Sequence, residues 1–259
     1  MGTKTQTGGS KGRRTLLAWG VLIGGLLGAG WTPTAWGQQT QQTEDEVEAR
    51  IKALGGTVVR DDSSPTRPII EVAIRSPRLT DETLAGLTQP LSGLPHLRRL
   101  TLVSAHVTDE GLRTVTAISK LQQLELDCHV TGSGVPALCT LPELTSLTFF
   151  CNPDLTDVAL ENLNDFPKLK TLRLVATPNV TDAGLKHLAE IPGLESLTLR
   201  YSGMTPEGLE SLKELKTLRT LVVNGTSKHP VTDKQIDELK RSLPDCRVVR
   251  EERLTPAPR

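Results

Sequence analysis

Few side chains in this chain suggest chemistry by type and spacing. Five histidines (His96, His106, His129, His187 and His229) and four cysteines (Cys128, Cys139, Cys151 and Cys246) are the candidates for metal binding or nucleophilic work. A zinc site needs ligands in closely spaced pairs, and no two histidines here have a spacing such as HxxxH. Asp127-Cys128-His129 is the one tight cluster of ligand types. Adjacent strand residues point to opposite faces, so this triplet reads as ordinary strand and turn. No GxSxG, GxxxxGK[ST] or cysteine-nucleophile motif occurs. The expectation is therefore a protein with no catalytic residues, no metal and no cofactor.

What remains is binding chemistry, carried by the elements that repeat. FPKLKTLRLVATPNVTDAGLKHLAE (from Phe166) is followed by IPGLESLTLRYSGMTPEGLESLKEL, and the second segment echoes the first. Leu172 and Leu174 alternate with exposed positions and predict a short strand with one buried face. Thr181 or Asp182 can cap the helix that follows, and Leu185 and Leu188 turn one face of it inward. Pro167 and Pro192 mark where the chain turns back. The first Leu of each LxxLxL falls at 97, 121, 144, 169, 194 and 218, with spacings of 24, 23, 25, 25 and 24 residues. Ile69, Val72 and Ile74 begin the series, which makes seven units. One unit cannot bury its own apolar face, but a stack can. The third unit has Val130-Thr131-Gly132-Ser133-Gly134-Val135-Pro136 where the others have a helix, so a single short turn is expected there.

The pattern LxxLxLxxxxVTDxGLxxL, best seen at Val107–Leu112 and Val180–Leu185, resembles leucine-rich repeat proteins. It is most similar to the cysteine-containing subtype of F-box proteins and many secreted bacterial proteins. The resemblance covers roughly residues 69–249. It implies an α/β, right-handed solenoid of about seven repeats, with a curved parallel sheet on the concave side and helices on the convex side. It also implies protein binding. The sequence departs from the subtype at its hallmark Cys, three residues past the second Leu of LxL. Ala105, Asn152, Thr177, Ser202 and Thr226 stand there.

The flanks have their own patterns. Residues 1–37 read as a secretory signal, with Lys11, Arg13 and Arg14 before an apolar run from Leu16 to Leu27. Ala35-Trp36-Gly37 offers a cleavage site after Gly37. Arg13-Arg14-Thr15-Leu16-Leu17 also fits a twin-arginine signal, and ordinary signals carry Arg pairs too. The apolar run is short of the ~20 residues a membrane span needs, so no stable span is expected once the signal is cleaved. Residues 38–42 read as a polar linker, and Thr43 to Glu46 as a capping box opening a helix. Residues 43–68 form an N-terminal cap, with Asp61 to Pro68 as its loop. The solenoid ends at 249 with a capping helix from Ile236 and a strand at Cys246 to Val249. Residues 250–259 are expected to be a disordered tail.

Charge is balanced at 30 basic and 30 acidic residues. Removing residues 1–37 takes four basic residues and no acids, which leaves 26 against 30, or −4. Nucleic-acid binding, which calls for a basic face, is not expected. The side chains that alternate with the core leucines form the candidate binding face. Among them are Arg99, Glu125, Asp127, Phe150, Arg173 and Arg200, with acids in the third repeat and bases in the fifth and sixth. Cys128 and Cys151 each lie two residues past a strand in neighbouring repeats. Strand spacing of ~4.8 Å permits a disulfide between aligned positions, although the two repeats differ in turn length. The functional expectation is an exported protein, secreted or periplasmic, that binds a protein partner through the concave sheet. The alternatives are a self-associating structural component of the cell envelope and an F-box-like adaptor in a degradation complex.

Overall fold

Alternation of core and face residues builds a nine-stranded sheet in strict sequence order among the described residues. The computed structural model describes residues 33–104, 106–225 and 229–250. Helix α1 (Pro33–Ala53) leads into β1 (Thr57–Arg60), then β2 (Ile69–Arg75) and α2 (Asp81–Ser92). The stack continues with β3 (Arg99–Ser104), α3 (Asp109–Thr114), β4 (Gln123–Cys128) and β5 (Ser146–Phe150). It ends with β6 (Thr171–Val175), α4 (Asp182–His187), β7 (Ser196–Arg200), α5 (Pro206–Ser211), β8 (Thr220–Asn224), α6 (Asp233–Ser242) and β9 (Arg247–Arg250). β2 to β9 pair in parallel, while the cap strand β1 runs antiparallel to β2 with an irregularity between Val59 and Arg60. The register aligns Leu100, Leu124, Leu147, Leu172, Leu197 and Leu221 in one buried row. Leu84, Leu112, Leu160, Leu185 and Leu209 close the core from the helical side.

The return segments are short. Where a single turn is expected in the third repeat, a 3-10 stretch spans Val135–Thr140. The fourth repeat also returns through 3-10 turns, at Asp157–Ala159 and Leu163–Asp165. A 3-10 turn rises about 2.0 Å per residue against about 1.5 Å for an α-helix, so it spans the same return with fewer residues.

The first end differs from the expected layout. Helix α1 begins at Pro33 and runs through residues 38–42, so these are helical rather than a linker, and Thr43 lies inside the helix rather than at its start. The helix is tied down by tertiary charge pairs. Arg60 on β1 bonds Glu44 at 3.1 Å, Asp45 at 2.8 Å and Glu48 at 2.7 Å. Glu44 is itself buried and accepts the Ile69 amide, which joins α1 to the first repeat strand. Expectations for residues 1–32 and for 251–259 lie outside the described residues.

Successive repeats are joined by a carboxylate ladder. Asp81 accepts the Thr108 amide and hydroxyl. Asp157 does the same for Thr181, and Asp182 for Thr205. Asp109 accepts the Thr131 amide and hydroxyl and the amides of Gly132 and Gly134. Partial burial alone would raise the Asp109 pKa, but those four hydrogen bonds outweigh it and hold the carboxyl below its ordinary 3.8. A depressed folded pKa stabilises the fold above the unfolded value, and that contribution is lost as pH falls through the folded value. Asp109→Asn should therefore lower stability at neutral pH and flatten the loss of stability below about pH 4. Urea denaturation of parent and variant over an acid pH series checks this.

Candidate binding face

The face is built by the period of two within each strand. With Leu172 and Leu174 buried, Thr171 and Arg173 take the other side, and Arg173 is exposed. The parallel register then sets neighbours. Arg75, Val103 and Asp127 share one level, and Phe150, Val175, Arg200 and Asn224 share the matching level further along. At the middle level, Thr101, Glu125, Thr148, Arg173 and Thr198 alternate short and long, and Val222 adds another short side chain.

Not every expected face residue is open to solvent. Thr101, Thr148, Thr198, Val175 and Asn224 are buried. Strands about 4.8 Å apart let longer neighbours lie over short side chains. The six candidates fall into two groups. Arg99 is already engaged, paired with Glu71 at 3.0 Å and donating to Gln123 at 2.7 Å. Asp127 lies near Arg75 and Glu125. Partial burial raises its pKa and Glu125 adds to the rise, against the opposing charge of Arg75. Phe150, Arg173 and Arg200 sit together on β5 to β7. Phe150 is 40 % exposed, one of three large hydrophobic side chains left open among the described residues. Arg200 lies over the Tyr201 ring, 6.0 Å from its centroid.

The cysteines do not pair. All four are free thiols, Cys128 buried and Cys151 exposed. The bond that strand spacing would permit between Cys128 and Cys151 is not formed in this structure: β4 and β5 stay in register only as far as Leu126 and Phe149, after which Cys151 enters a left-handed turn with φ 51°. Cys128 instead turns inward and donates to the Leu102 carbonyl. In the next repeat it is Asn152 that fills this role, donating to the Leu126 carbonyl at 2.8 Å and accepting the Cys128 amide. The buried polar position thus falls two residues past the core Leu in one repeat and three in the next. Counting from the strand missed Cys128 there for that reason. Burial pushes the Cys128 thiol up to about 12 and the Cys139 thiol up to about 11, and it raises Cys151 and Cys246 as well. Thiols held protonated are poor nucleophiles. His129 pairs with Asp154 at 2.6 Å. Among the described residues no group of three or more His, Cys, Asp or Glu is placed to hold a metal ion. No helix among them is long and apolar enough to cross a membrane.

Residues 93–115 match a family described as Leucine Rich repeat. Among curated proteins, none matches the chain. Among solved structures, 116 chains match, a breadth that speaks for the fold rather than for one activity. One is an internalin from Listeria monocytogenes, similar at 22 % identity with a TM-score of 0.50. The match covers 71 % of this chain and 48 % of the internalin chain, so this protein spans about half of that length. The likeness supports the solenoid fold. The cysteine-containing subtype receives no such support.

Proposed function

We propose, on the premise that this chain folds as a leucine-rich repeat solenoid, that it is an exported, non-enzymatic module binding a protein partner through its concave sheet face. The observation that carries the proposal is Phe150, exposed on a rigid sheet beside charged side chains. An apolar anchor with a polar rim is the usual anatomy of a binding hot spot. Solenoids generally offer such extended faces to partners. Charge reversal at Arg173 and Arg200 together, and Phe150→Ala separately, should each remove a partner captured from the native envelope while the variants stay folded. A substitution at exposed Arg173 typically shifts stability by less than ~0.5 kcal/mol, and because Arg200 is half-buried the double variant is checked for native circular dichroism before capture. Wild-type capture by both variants would sink the concave-face reading.

Export rests on the charged and apolar pattern of residues 1–37 and is also our reading. All three tryptophans, Trp19, Trp31 and Trp36, lie ahead of the proposed cleavage after Gly37, and Tyr201 is the single tyrosine. Protein recovered from outside the cytoplasm should emit as tyrosine. Tryptophan emission from that fraction would show the segment retained.

A further inference from the structure

We infer that the β5–β8 half of the sheet face takes an extended acidic segment carrying one apolar side chain. This rests on the concave-face reading and adds the chemical class and the place. The two halves of the face differ in how their charges are used. On β2 to β4, acids and bases are mixed and answer each other: Arg99 pairs with Glu71, and Arg75 faces Asp127. On β5 to β8 the strands read SLTFF, TLRLV, SLTLR and TLVVN, with two arginines and no acid. Arg173 is exposed and makes no ion pair with any described residue. The Asn224 amide nitrogen, buried at the same level as Arg200, has no hydrogen-bond partner among the described residues. Asp127 on β4 borders Phe150 on one side, and on the other side this half presents two arginines and the Asn224 donor with no acid on its strands.

Spacing sets the order of the segment. Phe150 and Arg200 lie two strands apart with Val175 between them, a span of ~10 Å at ~4.8 Å per strand. A polyproline II chain laid across the strands at about 3.1 Å per residue covers that span in about three residues, and its three-residue turn brings side chains three apart onto one face. The fitting pattern is an apolar residue with Asp or Glu three positions away, and a second acid within reach of Arg173. Carboxylates on arginine form strong, paired hydrogen bonds, while the apolar residue covers Phe150.

A random 12-residue peptide library displayed on phage, selected against the full chain, tests this. Enriched sequences should combine an apolar residue with Asp or Glu at about that separation. As labelled synthetic peptides they should bind about tenfold or more weakly to Arg173→Glu and to Phe150→Ala. Arg173→Lys should keep most of the binding, and added salt should weaken it. Neutral or basic consensus peptides lost on Glu125→Lys would overturn the acidic class and leave the concave-face reading standing. Peptides indifferent to every face variant would overturn both. The competing occupant is the chain's own 251–259 segment, which carries Glu251, Glu252 and Leu254. Acidic peptides that bind only a chain ending at Arg250, and are displaced by a synthetic 251–259 peptide, would show that segment to be the occupant and overturn a foreign one. Failure of either chain to select any acidic peptide would also overturn the inference.

Discussion

Phe149→Ala should cost ~3–5 kcal/mol, and Leu172→Ala or Leu197→Ala ~2–5 kcal/mol each, the range for truncating a buried core side chain. All three side chains are fully buried, on strands paired in register on both sides. Leu172 and Leu197 pair in register and line the same row, so their single costs should be similar. Arg173→Glu, one residue from Leu172 but on the open face, is the matched control and should change stability by less than ~0.5 kcal/mol. Urea denaturation followed by circular dichroism measures all four. Repeat stacks can unfold in parts, so the slope with denaturant must be compared along with the midpoint. A loss below 1 kcal/mol at both leucines, taken as about half the expected minimum, would mean the row is not the core.

Gly208→Ala should cost about 1–3 kcal/mol or more, although it adds a single methyl group. A Cβ at Gly208 would stand 1.9 Å from the Asp182 carboxylate, and one at Gly184 would stand 2.3 Å from that of Asp157. Each glycine makes room for the carboxylate of the repeat before it, the same carboxylate that holds the next threonine. The clash is with one side chain, so removing that side chain should relieve it. Asp182→Gly with Gly208→Ala should be less destabilised than the sum of the two single variants. The chain already contains this combination. Gly132 stands at the aspartate position of the third repeat, and the next repeat has Ala159 where others have glycine. Pro206 stands there in the sixth, and the next repeat has Gln235. Gly111, Gly134, Gly184 and Gly208 follow Asp81, Asp109, Asp157 and Asp182. Additive losses in the double variant, measured by the same denaturation, would refute this pairing.

Much of the face was legible in advance. A period of two places Arg173 and Phe150 opposite Leu172 and Phe149 whatever the stack does, because neighbouring strand side chains point opposite ways. What hid part of the face was lateral crowding: Thr148 and Thr198 point outward yet are buried. Strand spacing and the length of neighbours such as Arg173 decide that, and neither is visible within one repeat.

By itself, the sequence determined the solenoid, its unit length and its core rows, because these follow from local periodicity and from the need of each unit to cover the next. Contacts between repeats were decided by the tertiary structure alone. The VTDxGL pattern was plain in the sequence, but the reason for its glycine lies one repeat earlier, in an aspartate more than twenty residues away. The fate of Cys128 and Cys151 likewise turned on two turns of unequal length, which sent one thiol inward and the other out. The N-terminal helix was held by Arg60 reaching Glu44, Asp45 and Glu48, a set of charges that meet only when β1 folds back beside α1. Local pattern reads the direction of a side chain relative to its own backbone, and the partner it meets depends on how distant segments are brought into register.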